Sequence, residues 1–148
     1  MNRFAKTMVL FVIAFHVVLF VVEALLWMQP GVYEFALHRL AIKTTLDLPG
    51  QALLLQTFFV NQGFYNLLLA SAGIAGLAFL GRGNAPVGHT LIIYMCISAA
   101  GAGLVLGAST PATIGAILQG LPAALALAAI LPRLPSGSAP VTAASKGT

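Results

Sequence analysis

The chain has 148 residues, 59% of them hydrophobic and 7% charged, with a mean hydropathy of +0.99, where an ordinary soluble domain carries about 25% charge. This excludes a water-soluble globular protein, and the length suits one domain of four spans at about 20 apolar residues each, with no room for a second soluble domain. The net charge of +4 comes from seven basic and three acidic residues scattered singly, which gives no basic patch for nucleic acid.

The first predicted span is Met8 to Met28, MVLFVIAFHVVLFVVEALLWM, an apolar run broken by His16 and Glu23. Arg3 and Lys6 precede it, Trp27 is placed as an interfacial aromatic anchor, and Pro30 with Gly31 stops the helix. A signal peptide needs a shorter apolar core and a small-residue cleavage site, so the span is read as retained.

Gln29 to Gln51 is the sizeable loop. Within it, VYEFALHRLAIKTTL sets Val32, Phe35, Ala36, Leu40 and Ile42 against Glu34, His38, Arg39 and Lys43, an amphipathic pattern at helical spacing. The helix it predicts either lies on the membrane surface or caps the bundle.

Span two runs from Ala52 to Leu80, longer than the hydrocarbon core requires, and Gly81 to Asn84 ends it. Span three covers Gly88 to Ala108; Ser109, Thr110 and Pro111 make a short turn into span four, Ala112 to Leu131, so these two form an antiparallel hairpin. After Pro132 the tail RLPSGSAPVTAASKGT has no apolar period and is expected to be a disordered cytoplasmic segment over 133–148. The predicted fold is thus all-α: an antiparallel up-down bundle of four transmembrane helices over 1–132, with a short amphipathic segment in the first loop.

Orientation follows from counting Lys and Arg by side. Arg3, Lys6, Arg82, Arg133 and Lys146 fall on one side and Arg39 and Lys43 on the other, where Glu34 and Asp47 cancel them. Both termini are expected to be cytoplasmic, in a multi-pass protein of the cell (inner) membrane. Cys96 is the one cysteine, so neither an intrachain disulfide nor a thiolate zinc site can form; no metal and no cofactor are expected.

The candidate chemistry is a set of polar side chains at similar depth. A carboxylate inside a span costs a few kcal/mol unless it meets a partner, which makes Glu23 a candidate by default. His16 and Glu23 lie two turns apart on one face, with Trp27 continuing the stripe. Two turns is roughly 10 Å, too far for direct contact, so His16 is an accessory candidate at most. On span two, NQGFYN puts Gln62, Tyr65 and Asn66 with Gly73 and Gly76 along one side, and span four offers Gln119. Glu23 falls roughly 7 Å, and Gln119 roughly 12 Å, from the outer ends of their helices. Glu23, Asn61, Gln62, Tyr65, Asn66 and Gln119 are therefore expected to converge in the non-cytoplasmic half, with Trp27 at the mouth.

Structural explanations stand beside these. Amides and hydroxyls in spans also serve as interhelical hydrogen bonds, and a protonated Glu23 bonded to Asn61 or Gln62 would satisfy the bundle without any ligand. Gly63, Gly73, Gly76, Gly101, Gly103 and Gly107 are packing positions, and the glycine-rich face of span three serves either an internal contact or a homodimer.

The segments HVVLFVVEALLWMQP, NQGFYN and LQGLPAALALAAIL resemble the signature stretches of a family of small bacterial and fungal membrane proteins known as domain of unknown function 1304. His16, Glu23, Trp27, Pro30, Asn61, Gln62, Gly63, Tyr65, Asn66, Gln119 and Pro122 match in order, across Phe11 to Leu131. The first loop is longer than the family pattern. The resemblance implies a four-helix membrane protein and carries no established activity, cofactor or reaction.

Three functions remain open. The first is a binding or accessory module whose cluster takes a lipid-like, quinone-like or other amphipathic ligand, with membrane lipids as its surroundings. The second is an intramembrane isomerase or hydrolase with Glu23 as acid or base and Tyr65 as proton partner. The third is a small proton-coupled transporter, which would need to dimerise.

Overall fold

The computed structural model describes residues 1–134, so the expected tail lies, from residue 135 onward, outside the described residues. Helix α1 spans Arg3–Phe20 and runs on as a π-helical turn, Val21–Leu25. Short α2 covers Pro30–Leu40, α3 Leu48–Gly81, α4 Ala85–Ser109 and α5 Thr113–Ile130, which ends in a tight turn at Leu131–Arg133. No strand occurs among the described residues.

Local chemistry explains the ends. Asn2, Asp47 and Asn84 each accept a hydrogen bond from the backbone N–H three residues on, at 2.8, 3.0 and 3.3 Å, satisfying donors that the first turn of a helix leaves free. Asp47 followed by Pro49 starts α3 at Leu48, a full turn before the Ala52 that its apolar run alone predicts. Similarly α1 begins at Arg3, which puts Arg3 and Lys6 inside the helix. Ala41 stops α2 in a left-handed conformation at φ 50°, and Gly83 at φ 82° reverses the chain between α3 and α4, where a glycine bears no Cβ penalty.

α1 packs on α3 and α5, and α4 packs on the same two helices, closing a four-cornered bundle. Contacting positions climb one helix as they descend its neighbour. On α3, Gly73 and Gly76 lie against Met95 and Ile92; on α4, Gly103 and Gly107 lie against Gly120 and Ala116. Each of these pairs of helices therefore runs in opposite directions. At Gly103 an added Cβ would come within 2.6 Å of the Gly120 nitrogen, so Gly103 serves an internal contact with α5. Gly101 has open space beside it.

The main core joins Val9, Val12, Ile13, Ala70, Ile92, Met95, Cys96, Ala99, Ala123 and Ala126. The outer faces are apolar as well: Leu53, Leu54, Leu68, Leu104 and Val105 are all exposed. A helix apolar all round belongs in lipid. Four helices, of 23, 34, 25 and 21 residues with mean hydropathies of 2.7, 1.6, 2.1 and 2.1, are long and apolar enough to cross a membrane. The chain is a multi-pass membrane protein.

α2 takes the capping position rather than the free surface one, and by a different face from the one its pattern predicts. Tyr33 and Leu37 are buried with Trp27 and Ala52, whereas Phe35 and Ile42 stay exposed. The reason is local: Trp27 occupies the space between α2 and the first turns of α3, and the Tyr33–Leu37 edge is the one that meets it.

Candidate functional site

The last turn of α1 is wider than an α-helix: the Leu26 N–H donates to the Val21 carbonyl oxygen five residues back, at 3.0 Å. Such π turns are rare and favour functional sites. This one contains Glu23, whose Oε2 accepts a 2.7 Å hydrogen bond from Asn66 Nδ2 on α3. Directly beside it Ala24 presses on Gly63, where an added Cβ would lie 2.8 Å from both the Ala24 nitrogen and its Cβ. The glycine of the NQGFYN run thus admits the turn that carries the carboxylate, and the following asparagine holds that carboxylate.

Around this pair lies a cavity of about 490 Å³ lined by residues of all five helices and the π turn, a size typical of small-molecule sites. Glu23, Gln62, Asn66 and Gln119 supply its amide and carboxyl groups. Ser109 and Thr110 at the end of α4 add hydroxyls, and Leu19, Phe59, Val105 and Leu106 are among its apolar walls. Phe58, Val105 and Ser109 line the cavity and are also exposed, so it opens sideways between α3 and α4.

The expected cluster therefore divides. Glu23, Gln62, Asn66 and Gln119 come together; Asn61 and Tyr65 are exposed on α3 and do not line the cavity, Tyr65 being 58% exposed. Trp27 is not an interfacial anchor at the mouth. It is 2% exposed, its Nε1 donates to the Ala52 carbonyl at 2.9 Å, and its ring stacks 3.6 Å from that of Phe59. It lies in the turn after the π segment, because the helix ends at Leu25, and it backs the cavity wall through Phe59. His16 is fully buried one turn below Leu19, with Nδ1 2.8 Å from the Val12 carbonyl oxygen. A carbonyl can only accept, so Nδ1 carries the hydrogen; Nε2 has no partner among the described residues.

Sequence reasoning missed Phe58, Phe59, Ser109 and Thr110. The signal for the hydroxyls was their place at the outer end of span three, but a Ser-Thr-Pro run reads first as a turn. No group of His, Cys, Asp or Glu side chains able to hold a metal is found among the described residues.

A model of a family of proteins of unknown function, DUF1304, matches residues 10–131. The chain belongs to that family. The match covers everything from the second turn of α1 to the end of α5, and so contains every residue that lines the cavity. No curated protein and no solved structure matches the chain.

The Glu23–Asn66 bond separates two asparagines that look alike in the sequence. Asn66→Leu leaves a half-buried carboxyl group without its donor and is expected to cost about 1–3 kcal/mol. Asn61→Leu, at an exposed site, is expected to change stability by no more than about 0.5 kcal/mol. Thermal unfolding of both variants in the same detergent measures the contrast, and equal losses would place the two side chains in equivalent surroundings.

Proposed function

We propose that this protein is a binding or accessory module of the cell (inner) membrane, which takes an amphipathic ligand, lipid-like or quinone-like, sideways from the bilayer. The observation that carries this reading is the convergence of Glu23, Gln62, Asn66 and Gln119, from three different helices, on one laterally open cavity with apolar walls. A polar head would meet the amides and carboxyl group while its tail runs out past Phe58 and Val105. Tyr65, the proton partner expected for acid–base chemistry at Glu23, does not line the cavity, and the other polar lining side chains, Gln62, Asn66, Gln119, Ser109 and Thr110, are amides and hydroxyls. Binding requires only the groups present.

Mass spectrometry of the protein purified in mild detergent tests this reading. A stoichiometric small amphiphile is expected with the native chain, and less of it with Glu23→Gln, a near-isosteric change that still offers Asn66 an acceptor oxygen. A native chain with no retained molecule, whatever the detergent, would count against binding as its role.

The cavity belongs, in this proposal, to the non-cytoplasmic leaflet, with both termini cytoplasmic. The support is the Lys and Arg distribution: Arg3, Lys6, Arg82 and Arg133 sit at the opposite end of the bundle from Arg39 and Lys43. Cys96 is buried, so single cysteines introduced elsewhere can be labelled against a quiet background. A membrane-impermeant maleimide applied to intact cells is expected to modify Glu34→Cys and to spare Arg82→Cys; the reverse pattern would invert the topology.

A further inference from the structure

The cavity has a polarity that narrows its ligand beyond "amphipathic". Among the residues that line it there is one acidic side chain, Glu23, and no Lys, Arg or His. Its hydroxyls have already spent their hydrogens: Ser109 Oγ donates to the Val105 carbonyl at 2.7 Å and Thr110 Oγ1 to the Leu106 carbonyl at 2.9 Å. What Ser109 presents to a guest is therefore a lone pair. Glu23 has one oxygen held by Asn66. The Gln62 and Gln119 amides and the second Nδ2 hydrogen of Asn66 can donate, and each of these amides carries an acceptor oxygen as well. The basic residue nearest in sequence to the lining, Arg39 beside Leu40, carries its guanidinium 4.9 Å from the centre of the exposed Phe35 ring.

Resting on the binding reading above, we infer that the ligand's head group bears no negative charge, as in a long-chain amine or alcohol, and that carboxylate and phosphate heads are rejected. An anion brought out of water into this cavity meets no cation, whatever the proton state of Glu23, and burying an uncompensated charge is costly. A neutral or cationic head, by contrast, avoids that cost and can pair with the lining amides and the Glu23 carboxyl group. The lateral opening sets the same condition on the tail, which must be apolar where it passes Phe58 and Val105.

Amphiphiles that share one tail and differ only in the head decide this. The chain has a single tryptophan, Trp27, stacked on the cavity-lining Phe59, so its fluorescence reports occupancy without a label. Tetradecylamine, tetradecanol and myristate are titrated into the full chain in a nonionic detergent, with native mass spectrometry as the second readout. The amine and the alcohol are expected to bind at least about tenfold more tightly than myristate, which corresponds to about 1.4 kcal/mol. In Glu23→Gln the amine is expected to lose its advantage over the alcohol while the alcohol keeps its own over myristate; the two source chemistries are thereby told apart. Myristate binding as tightly as the amine to the native chain would overturn this inference and leave the binding reading standing. Failure of all three to bind, together with no copurifying molecule, would overturn both. The native-chain series decides the matter even if the variant does not fold.

Discussion

Gly63→Val is expected to be among the most damaging single changes in the protein, because its side chain would have to occupy space already held by Ala24. An added Cβ alone lies 2.8 Å from the Ala24 backbone nitrogen and Cβ, and neither is the free end of a flexible side chain that could swing away. Overpacking of this kind costs about 1–3 kcal/mol and sometimes more. The strain falls on the π turn that carries Glu23, so the variant should lose both thermal stability and any copurifying ligand. Gly81→Val is the matched control, since nothing lies within 4 Å of that position; it should retain the ligand and unfold close to the native temperature. Unfolding in detergent, followed by mass spectrometry of the same samples, measures both effects. A native-like Gly63→Val would mean that α1 and α3 have room to separate there.

Trp27→Ala is expected to have the largest effect on stability, about 3–5 kcal/mol for a fully packed aromatic side chain. Trp27 joins three parts of the chain: the turn after α1, the first turn of α3 through the Ala52 carbonyl, and α2 through Tyr33 and Leu37. Its removal should free α2 and expose the segment between α2 and α3 to protease at Lys43. Trp27→Phe separates the contributions. It keeps an aromatic ring over Phe59 and loses the Nε1 hydrogen bond, for which about 1 kcal/mol is expected. Were both variants equally damaging, the hydrogen bond would outweigh the packing.

The four spans and the polar positions within them were legible because both depend on composition. Apolar runs of span length are unambiguous, and Glu23, Gln62, Asn66 and Gln119 stand out against them by the cost of burying each. Helical phase was harder to read. At about 100° per residue, Tyr65 lies about 100° and Asn61 about 140° around the helix from Asn66, so one face cannot present all three. A run as polar as NQGFYN hides which of its members faces inward. Trp27 was misread for a different reason: an aromatic residue at the end of an apolar run looks the same whether it sits at the lipid interface or donates to a carbonyl 25 residues away. The π turn has no sequence signature of its own, since it arises where α1 and α3 meet at Ala24 and Gly63. The start of α3 was in fact legible, in Asp47 and Pro49, but the apolar pattern drew attention past them.

The seam of small residues below the cavity sets how a guest can come and go. Ala70, Ala99, Ala123 and Ala126, with Ile92 and Met95, are entirely inaccessible to solvent, so the lower bundle is a solid floor that closes the cavity from that side. On the binding reading proposed above, a guest would find no way through that floor, and its exchange would be paced by how readily α3 and α4 let its tail pass.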